Sequence, residues 1–297
     1  MIEAGEHAER FTLLRPLLFT IAYEILGSAT EADDVLQDSY LRWAEVELAE
    51  VRETKAYLAK LVTRQALNTL RAQARRREDY VGPWLPEPLL LDDHDGAADV
   101  VLAESVSMAM LVVLETLTPD ERAVFVLREV FGFSHDEIAS AIGKSTVSVR
   151  QMAHRARAHV HSRRRRFEPM DAEKSGLITT QFLTAAATGD LEGLMAMLAP
   201  DVVFTSDSDG KASAARRPVL GAAKVARLIA GLMRLSGPEY HIEVATYNSA
   251  PALVVYENDV PASVVTVEIF DGKITNFYAM RNPEKLASAT VRREISR

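Results

Sequence analysis

The chain has 297 residues, 48% of them hydrophobic and 26% charged, an ordinary soluble composition long enough for two or three domains of roughly 100–200 residues. It carries no cysteine, which excludes disulfides, thiol catalysis and cysteine-bound zinc. Its most apolar early run, "LLRPLLFTIAYEIL", is interrupted by Arg15, Pro16 and Glu24 and is too short to span a bilayer, so a cytoplasmic protein with no membrane partner is expected.

Residues 1–80 predict helices throughout. Apolar residues recur at three and four (Leu14, Leu17, Leu18, Ile21, then Val35, Leu36, Tyr40, Trp43), with a break at Gly27. A linker over 81–100 follows, rich in Pro and Asp, and contains "VGPWLPEPLLLDDHDG". A plain spacer would use Gly, Ser and charge. Trp84 among three prolines instead predicts a stiffened strip that docks on something. Residues 101–167 predict helices again, and a polar joint covers 168–176.

Beyond the joint the periodicity changes. "LITTQFLTAAATGDLEGLMAML" predicts two helices parted near Gly189, and "DVVFTS" predicts a strand. "AAKVARLIAGLMRL" predicts a further helix. Alternation in "YHIEVATY", "ALVVYE", "SVVTVEIF" and "KITNFYAM" predicts an antiparallel meander, with Asp271-Gly272 as the turn of its last hairpin. The fold class is therefore multi-domain: two all-α parts, 1–80 and 101–167, then an α+β part over 176–297 in which a curved sheet wraps a helix.

Net charge is −8, which taken alone argues against nucleic acid. Its distribution argues the opposite. Thr54–Arg77 holds seven Lys or Arg and no acid, and Lys144–Arg166 holds eight and no acid, while Val81–Gly143 holds twelve acids against two Arg. Two separated basic helices predict two contacts along one polyanion.

The second basic block lies in "SHDEIASAIGKSTVSVRQMAHRAR". Ser134 and Glu137 form a capping box. Ile138, Ala139 and Ile142 make a buried face, and Gly143 stands where the turn needs a positive φ. Ser145 can cap a second helix whose Val149 and Met152 point back at the first, the spacing of a helix-turn-helix. The preceding helix is announced by Thr118, Pro119 and Glu121. The residues left outward, Thr146, Ser148, Arg150, Gln151 and His154, are types that read base edges in a major groove. Arg155, Arg157 and Arg163–Arg166 would meet phosphates.

With these motifs in order, residues 1–167 resemble a bacterial sigma factor of the extracytoplasmic-function (ECF) class. "GSATEADDVLQDSYLRW" resembles the helix that grips RNA polymerase, and the resemblance assigns Asp33, Asp34, Gln37 and Asp38 to that core-binding face. "AYLAKLVTRQALNTLRAQARRR" resembles the helix lying over the minus-ten element. On it Arg64, Asn68 and Arg71 share a face at spacings of four and three, while Thr63, Leu67 and Leu70 read as core. The preceding "AEVELAEVRET" would supply the base-reading loop. "VRQMAHRAR" resembles the recognition helix for the minus-thirty-five element.

"WLPEP" (Trp84, Leu85, Pro86, Glu87, Pro88) resembles a linker motif of one ECF subgroup, which carries a SnoaL-like C-terminal domain. "NPEKL" (Asn282, Pro283, Glu284, Lys285, Leu286) resembles a second subgroup motif, with Glu in place of Asp. Of a third, Gly-rich motif, "DGKAS" keeps only Asp209 and Gly210. These resemblances imply a promoter-specificity factor whose partners are core RNA polymerase and promoter DNA. It would have no cofactor, metal or catalytic residue, and a C-terminal domain holding the linker in cis through Trp84 and Leu85. An acidic chain of this kind is expected to bind free promoter DNA weakly until polymerase exposes both basic helices.

A cone-shaped domain offers an apolar pocket, so a small ligand is a further possible partner. Tyr240, His241, Tyr247, Asp259 and Tyr278 are the candidates for proton transfer there, but none stands in a motif that fixes a role. Two other readings compete: a ligand-switched DNA-binding regulator that does not bind polymerase, and a cone-fold isomerase with a helical extension. The first has no need of the 27–43 helix, and the second has no need of two acid-free basic helices.

Overall fold

Helix α1 (Ile2–Leu26) ends at Gly27, whose φ of 70° lies in the left-handed region, and Ser28 caps α2 (Ala29–Trp43) by accepting from the Glu31 amide at 3.2 Å. The computed structural model describes residues 2–76, 79–91, 99–163, 172–235 and 237–297. Helix does not run through to residue 80 as the periodicity predicts. Residues 44–53 break it, with one 3-10 turn at Leu48–Glu50. The next helix, α3 (Thr54–Arg76), needs an N-terminus of its own, and Glu53 serves it by accepting from the Lys55 amide.

These helices belong to a unit formed by Met1–Asp79, Asp92–Arg165 and Arg293–Arg297. Its remaining α-helices among the described residues are α4 (Val100–Ser105), α5 (Met108–Leu114), α6 (Pro119–Phe125), which runs on into a π-helical turn at Val126–Val130, α7 (His135–Ile142) and α8 (Thr146–Arg163). The core is drawn from the predicted faces: Leu17, Leu18, Ile21, Val35, Leu36, Trp43, Thr63, Leu67 and Leu70 are all buried. Trp43 is enclosed completely and its indole donates to the His7 carbonyl at 3.0 Å, so its polar atom is satisfied. A polar joint ties α1 to α4 and α6. Ser105 donates to Glu24 at 2.6 Å, and the buried Arg122 donates through Nε to the Glu24 carbonyl at 2.8 Å and through Nη1 to the Glu115 carboxylate. Burial pushes the Glu24 carboxyl up to about 8.

The second unit consists of Tyr80–Leu91 and Arg166–Arg292. Strand β1 (Leu90–Leu91) comes first in the chain. Helices α9 (Ala172–Thr188) and α10 (Leu191–Met197) follow, then β2 (Leu198–Asp207), β3 (Val219–Leu220), α11 (Ala222–Leu235), β4 (Tyr240–Tyr247), β5 (Ala250–Glu257), β6 (Val260–Phe270), β7 (Lys273–Met280), α12 (Pro283–Ala289) and β8 (Arg292–Arg293). The sheet order is β3-β2-β7-β6-β5-β4-β1-β8. The meander β4 to β7 is antiparallel as the alternation predicts, whereas β2 joins β7 in parallel and makes the sheet mixed.

Asp271 and Gly272 both have positive φ, as do Asn248-Ser249 and Asn258-Asp259 at the other two hairpins. Two-residue turns of this hand match the twist of the strands they join. Phe182, Leu194, Val202, Phe204, Val225, Ile229, Leu253 and Phe277 form the core between helices and sheet. Among the described residues no helix is long and apolar enough to cross a membrane.

Candidate functional site

The helix-turn-helix is built as its sequence specifies. Ser134 and Glu137 close the capping box in both directions, Gly143 takes φ 69° and ψ 39°, and Ser145 accepts from the Ser148 amide at 3.2 Å. Ile138, Ala139, Ile142, Val149 and Met152 are buried between α7 and α8. The outer face of α8 carries Arg150, Gln151 and His154, all exposed and without a hydrogen bond or ion pair among the described residues. The other proposed base readers differ: Thr146 donates to Asp136 at 2.7 Å, and Ser148 is half-buried. Arg155 pairs with Glu121 at 3.0 Å and Arg157 with Glu129 at 2.5 Å, which holds the Arg157 guanidinium above its ordinary range. Arg163 is exposed, and Arg164–Arg166 lie outside the described residues.

The basic face of α3 is in a different state. Arg64 donates from Nε to the Ala141 carbonyl at 2.9 Å and from Nη2 to the Ser140 carbonyl at 3.0 Å. Lys60 reaches the Ser140 hydroxyl at 2.9 Å, and Arg71 pairs with Asp120 at 2.5 Å. A guanidinium on the last carbonyls of α7 both satisfies them and complements the negative end of that helix. Of the three residues proposed for the minus-ten element, Asn68 alone is exposed without such a contact among the described residues.

On α2 the proposed core-binding residues Asp34, Gln37 and Asp38 are exposed on one face. Asp33 is tied down, by Arg15 at 3.2 Å and by Arg293 at 2.6 Å. The segment Arg293–Arg297 belongs to this helical unit. Ile295 is buried, the Ser296 amide donates to Thr20 at 3.2 Å, and Arg297 pairs with Asp99.

The linker strip is seated on the C-terminal domain. Lys285, buried, donates to the Leu85 carbonyl at 2.7 Å and to Asp207 Oδ2 at 2.8 Å, and its ammonium lies 4.0 Å from the Trp84 ring centroid and 5.0 Å from that of Tyr80. Asp207, wholly enclosed, accepts the Leu85 amide at 2.7 Å and the Tyr80 hydroxyl at 2.5 Å. Burial first, and then that carboxylate, hold the Tyr80 phenol well above its ordinary range. Asn282 caps α12 and donates to the Tyr80 oxygen at 3.0 Å, and Ser288 donates to Glu87 at 2.9 Å. Leu89 exchanges two hydrogen bonds with Asn248, each 2.9 Å, and β1 continues the sheet against β4. Pro86, Pro88 and Leu286 are buried, and Pro283 starts α12.

Of the two expected anchors, Leu85 is enclosed at 2% exposure and Trp84 is half-buried; Leu89, at 1%, is a further enclosed anchor that was not expected. Residues 85–89 are buried without a break, held extended by Pro86 and Pro88, and Trp84 stands at the margin of that run beneath the Lys285 ammonium. Sequence reasoning missed Tyr80, Asp207, Asn248 and Ser288. It also gave no role to the 209–213 loop. There Asp209 accepts the Val81 amide at 3.2 Å, and Lys211 bridges Asp209 at 3.0 Å to Glu284 at 2.7 Å. The available signal was an acid, Asp207, at the inner end of a predicted apolar strand.

The same domain has an open cavity of about 430 Å3 between sheet and helices, lined by Phe182, Phe204, Ile229, Leu253, Val265 and Phe277 among others, with Arg281 on its wall. The candidate proton-transfer residues do not converge there. Tyr247 donates to the Ala289 carbonyl at 2.9 Å and is pushed up to about 12 by burial. Tyr278 lies 3.3 Å from Glu268, His241 stacks on Tyr256, and Asp259 is exposed in a turn. Tyr240 alone lines the cavity.

Comparison with known proteins accounts for this arrangement. Residues 11–76 match Sigma-70 region 2 and residues 107–160 match Sigma-70, region 4. The chain is 35% identical over 294 residues to the ECF RNA polymerase sigma factor SigJ of Mycobacterium tuberculosis, covering 95% of this chain and 94% of that protein. It is 29% identical over 276 residues to the probable ECF sigma factor SigI of the same organism, covering 92% of each. The crystal structure of M. tuberculosis SigJ superposes with a TM-score of 0.77 at 32% identity, over 95% of this chain and 99% of that one. The chain therefore belongs to the ECF RNA polymerase sigma factors, with region 2 on α1–α3, region 4 ending in the α7–α8 helix-turn-helix, and an α+β domain after them.

Proposed function

We propose that this sigma factor binds core RNA polymerase through the exposed Asp34, Gln37 and Asp38 face of α2, and reads the minus-thirty-five element with Arg150, Gln151 and His154 of α8. It engages the minus-ten element with Arg64, Asn68 and Arg71 of α3, after Arg64 and Arg71 have left α7 and Asp120. The C-terminal domain controls this in cis and acts as a holder of the linker, not as a catalyst. Tyr80–Leu91 is part of the chain that joins region 2 to region 4, so the length of that strip left free governs how far the two can separate along a promoter.

One observation carries the reading: the buried Asp207–Lys285 pair closes on the backbone of Leu85 from both sides, amide to carboxylate and carbonyl to ammonium. A buried pair is costly unless its remaining hydrogen-bonding capacity is satisfied, and here the linker backbone satisfies it.

The test is run-off transcription with purified core polymerase on the gene's own upstream region, comparing the full chain with Lys285→Met and Asp207→Asn. Point substitutions suit the purpose better than truncation, because Arg293–Arg297 belongs to the helical unit. The expected result is a several-fold change in initiation with core binding intact. Initiation unchanged in a variant whose linker has become protease-sensitive would refute cis control.

A further inference from the structure

The wall of the cavity is mostly apolar, built on Phe182, Phe204, Ile229, Leu253, Val265 and Phe277, with Ser206, Ser213, Tyr240, Ser263 and Arg281 as its polar members. Its volume of about 430 Å3 lies within the range of pockets that take small organic ligands, about 300–1,000 Å3. The Ser263 hydroxyl already donates to the Met280 carbonyl at 3.0 Å. The conspicuous exception is Arg281. One of its terminal nitrogens donates to the Ser213 carbonyl, and its Nε is enclosed without a hydrogen-bond partner among the described residues. A guanidinium stays charged at any physiological pH and presents its donors as a planar fork. Leaving one of those donors buried and unpaired is unfavourable. A carboxylate is the head group that matches such a fork.

We propose that this cavity is a binding site for an amphipathic monoanion, a molecule with an aliphatic or ring body and a single carboxylate head that pairs with Arg281. A neutral molecule of the same shape fills the apolar wall but leaves the guanidinium as it is, so discrimination between acid and alcohol is the signature of the site.

Its position gives occupancy a consequence. Arg281 is followed directly by Asn282, which holds Tyr80, and its own amide donates to the Asp207 carbonyl at 2.7 Å. Ser206, on the cavity wall, directly precedes Asp207, whose carboxylate holds Tyr80, Leu85 and Lys285. Head-group site and linker cradle thus share two stretches of backbone, 206–207 and 281–282. The head group drawn to Arg281 shifts the residues that grip the linker. This second step rests on the cis-control reading above; binding itself does not.

The experiment is calorimetric titration of the full chain with decanoate and, as the uncharged match, decan-1-ol. Decanoate should bind at least about tenfold more tightly than decanol, the ratio a charge-assisted pair gives. Arg281→Gln should reduce decanoate to the decanol level and leave decanol unchanged. Met233→Trp, at a half-buried wall position, should weaken both. Equal affinity of the unaltered chain for the two probes, absence of binding by both, or an Arg281→Gln chain that still prefers decanoate would each overturn the site. If Arg281→Gln does not fold, the acid-to-alcohol ratio of the unaltered chain decides alone. Hydrogen exchange over 80–91 should change with decanoate and not with decanol; binding without that change would overturn the coupling and leave the site standing. Because neither measurement uses polymerase, failure here is separable from failure of the transcription test.

Discussion

Helices α3 and α8 are alike in composition, each basic and free of acids in its own span, yet the faces expected to read DNA differ. Arg155 and Arg157 of α8 are paired with Glu121 and Glu129, but its Arg150, Gln151 and His154 are not held among the described residues. Helix α8 displays Arg150, Gln151 and His154 to solvent, while α3 has Arg64 on the terminal carbonyls of α7 and Arg71 on Asp120. The neighbour makes the difference. Helix α8 is packed through Val149, Met152, Ala153, Ala156 and Val160, which leaves its far side open. Helix α3 lies against α7, whose C-terminal carbonyls attract cations. A basic helix is therefore a candidate contact for DNA by its sequence, and an available one only by its packing.

The sharpest way to break this comparison is to remove the joint that holds the helical unit together. Arg122→Ala deletes a fully buried guanidinium that binds the Glu24 carbonyl and the Glu115 carboxylate. A loss of about 3–5 kcal/mol is expected, because the partners are left buried and uncompensated. Chemical denaturation would measure it, and a loss below about 1 kcal/mol would show that the joint does not organise the unit.

Glu24 gives a pH dependence with a definite sign. Its folded carboxyl titrates near 8, its unfolded one near the ordinary 4.5, so between those values the folded state holds the extra proton. Stability is fully present below pH 4.5 and falls as pH rises toward 8. Glu24→Gln should flatten that slope and stabilise the chain at pH 8 by on the order of 3 kcal/mol. A thermal-melt series from pH 5 to 8.5 checks it; an unchanged slope would mean that another group titrates.

Smaller effects separate the two basic helices directly. Arg150→Ala should leave stability unchanged and weaken the polymerase-bound factor at its minus-thirty-five element by roughly 1–3 kcal/mol, read as promoter affinity at fixed salt. Arg64→Ala should do the reverse in the DNA-free protein, costing about 1 kcal/mol of stability and raising hydrogen exchange at the end of α7. If both substitutions gave the same pair of readouts, the distinction between displayed and held helices would be lost.

How much of this was visible beforehand depended on the range of the interaction responsible. The helix-turn-helix was readable in detail, because caps, a positive-φ turn and a buried face spaced at three and four are set within a few residues of one another. The last hairpin was readable from Asp271-Gly272 for the same reason. The break over 44–53 was not readable from periodicity, since Glu53 as a cap carries little signal inside a helical pattern; it was the family resemblance that marked 44–54 as a loop. The parallel pairing of β2 with β7 brings residues 203 and 276 together, and no local pattern reports a pairing at that separation.

At the linker the prolines and Trp84 announced a docked strip, and "NPEKL" supplied part of the surface that receives it. That Leu89 would be enclosed as well, and which acid would face Lys285, depended on Asn248 and Asp207, which lie far along the chain from the linker. Local pattern was enough for most helices and strands, the two basic faces and the family. Packing set which of those charges are displayed, paired Asp33 with Arg15 and Arg293, and closed Asp207 and Lys285 on Leu85. The physical reason is that capping, periodicity and turn chemistry act over a few residues, whereas burial and charge pairing depend on every element that arrives at the same place.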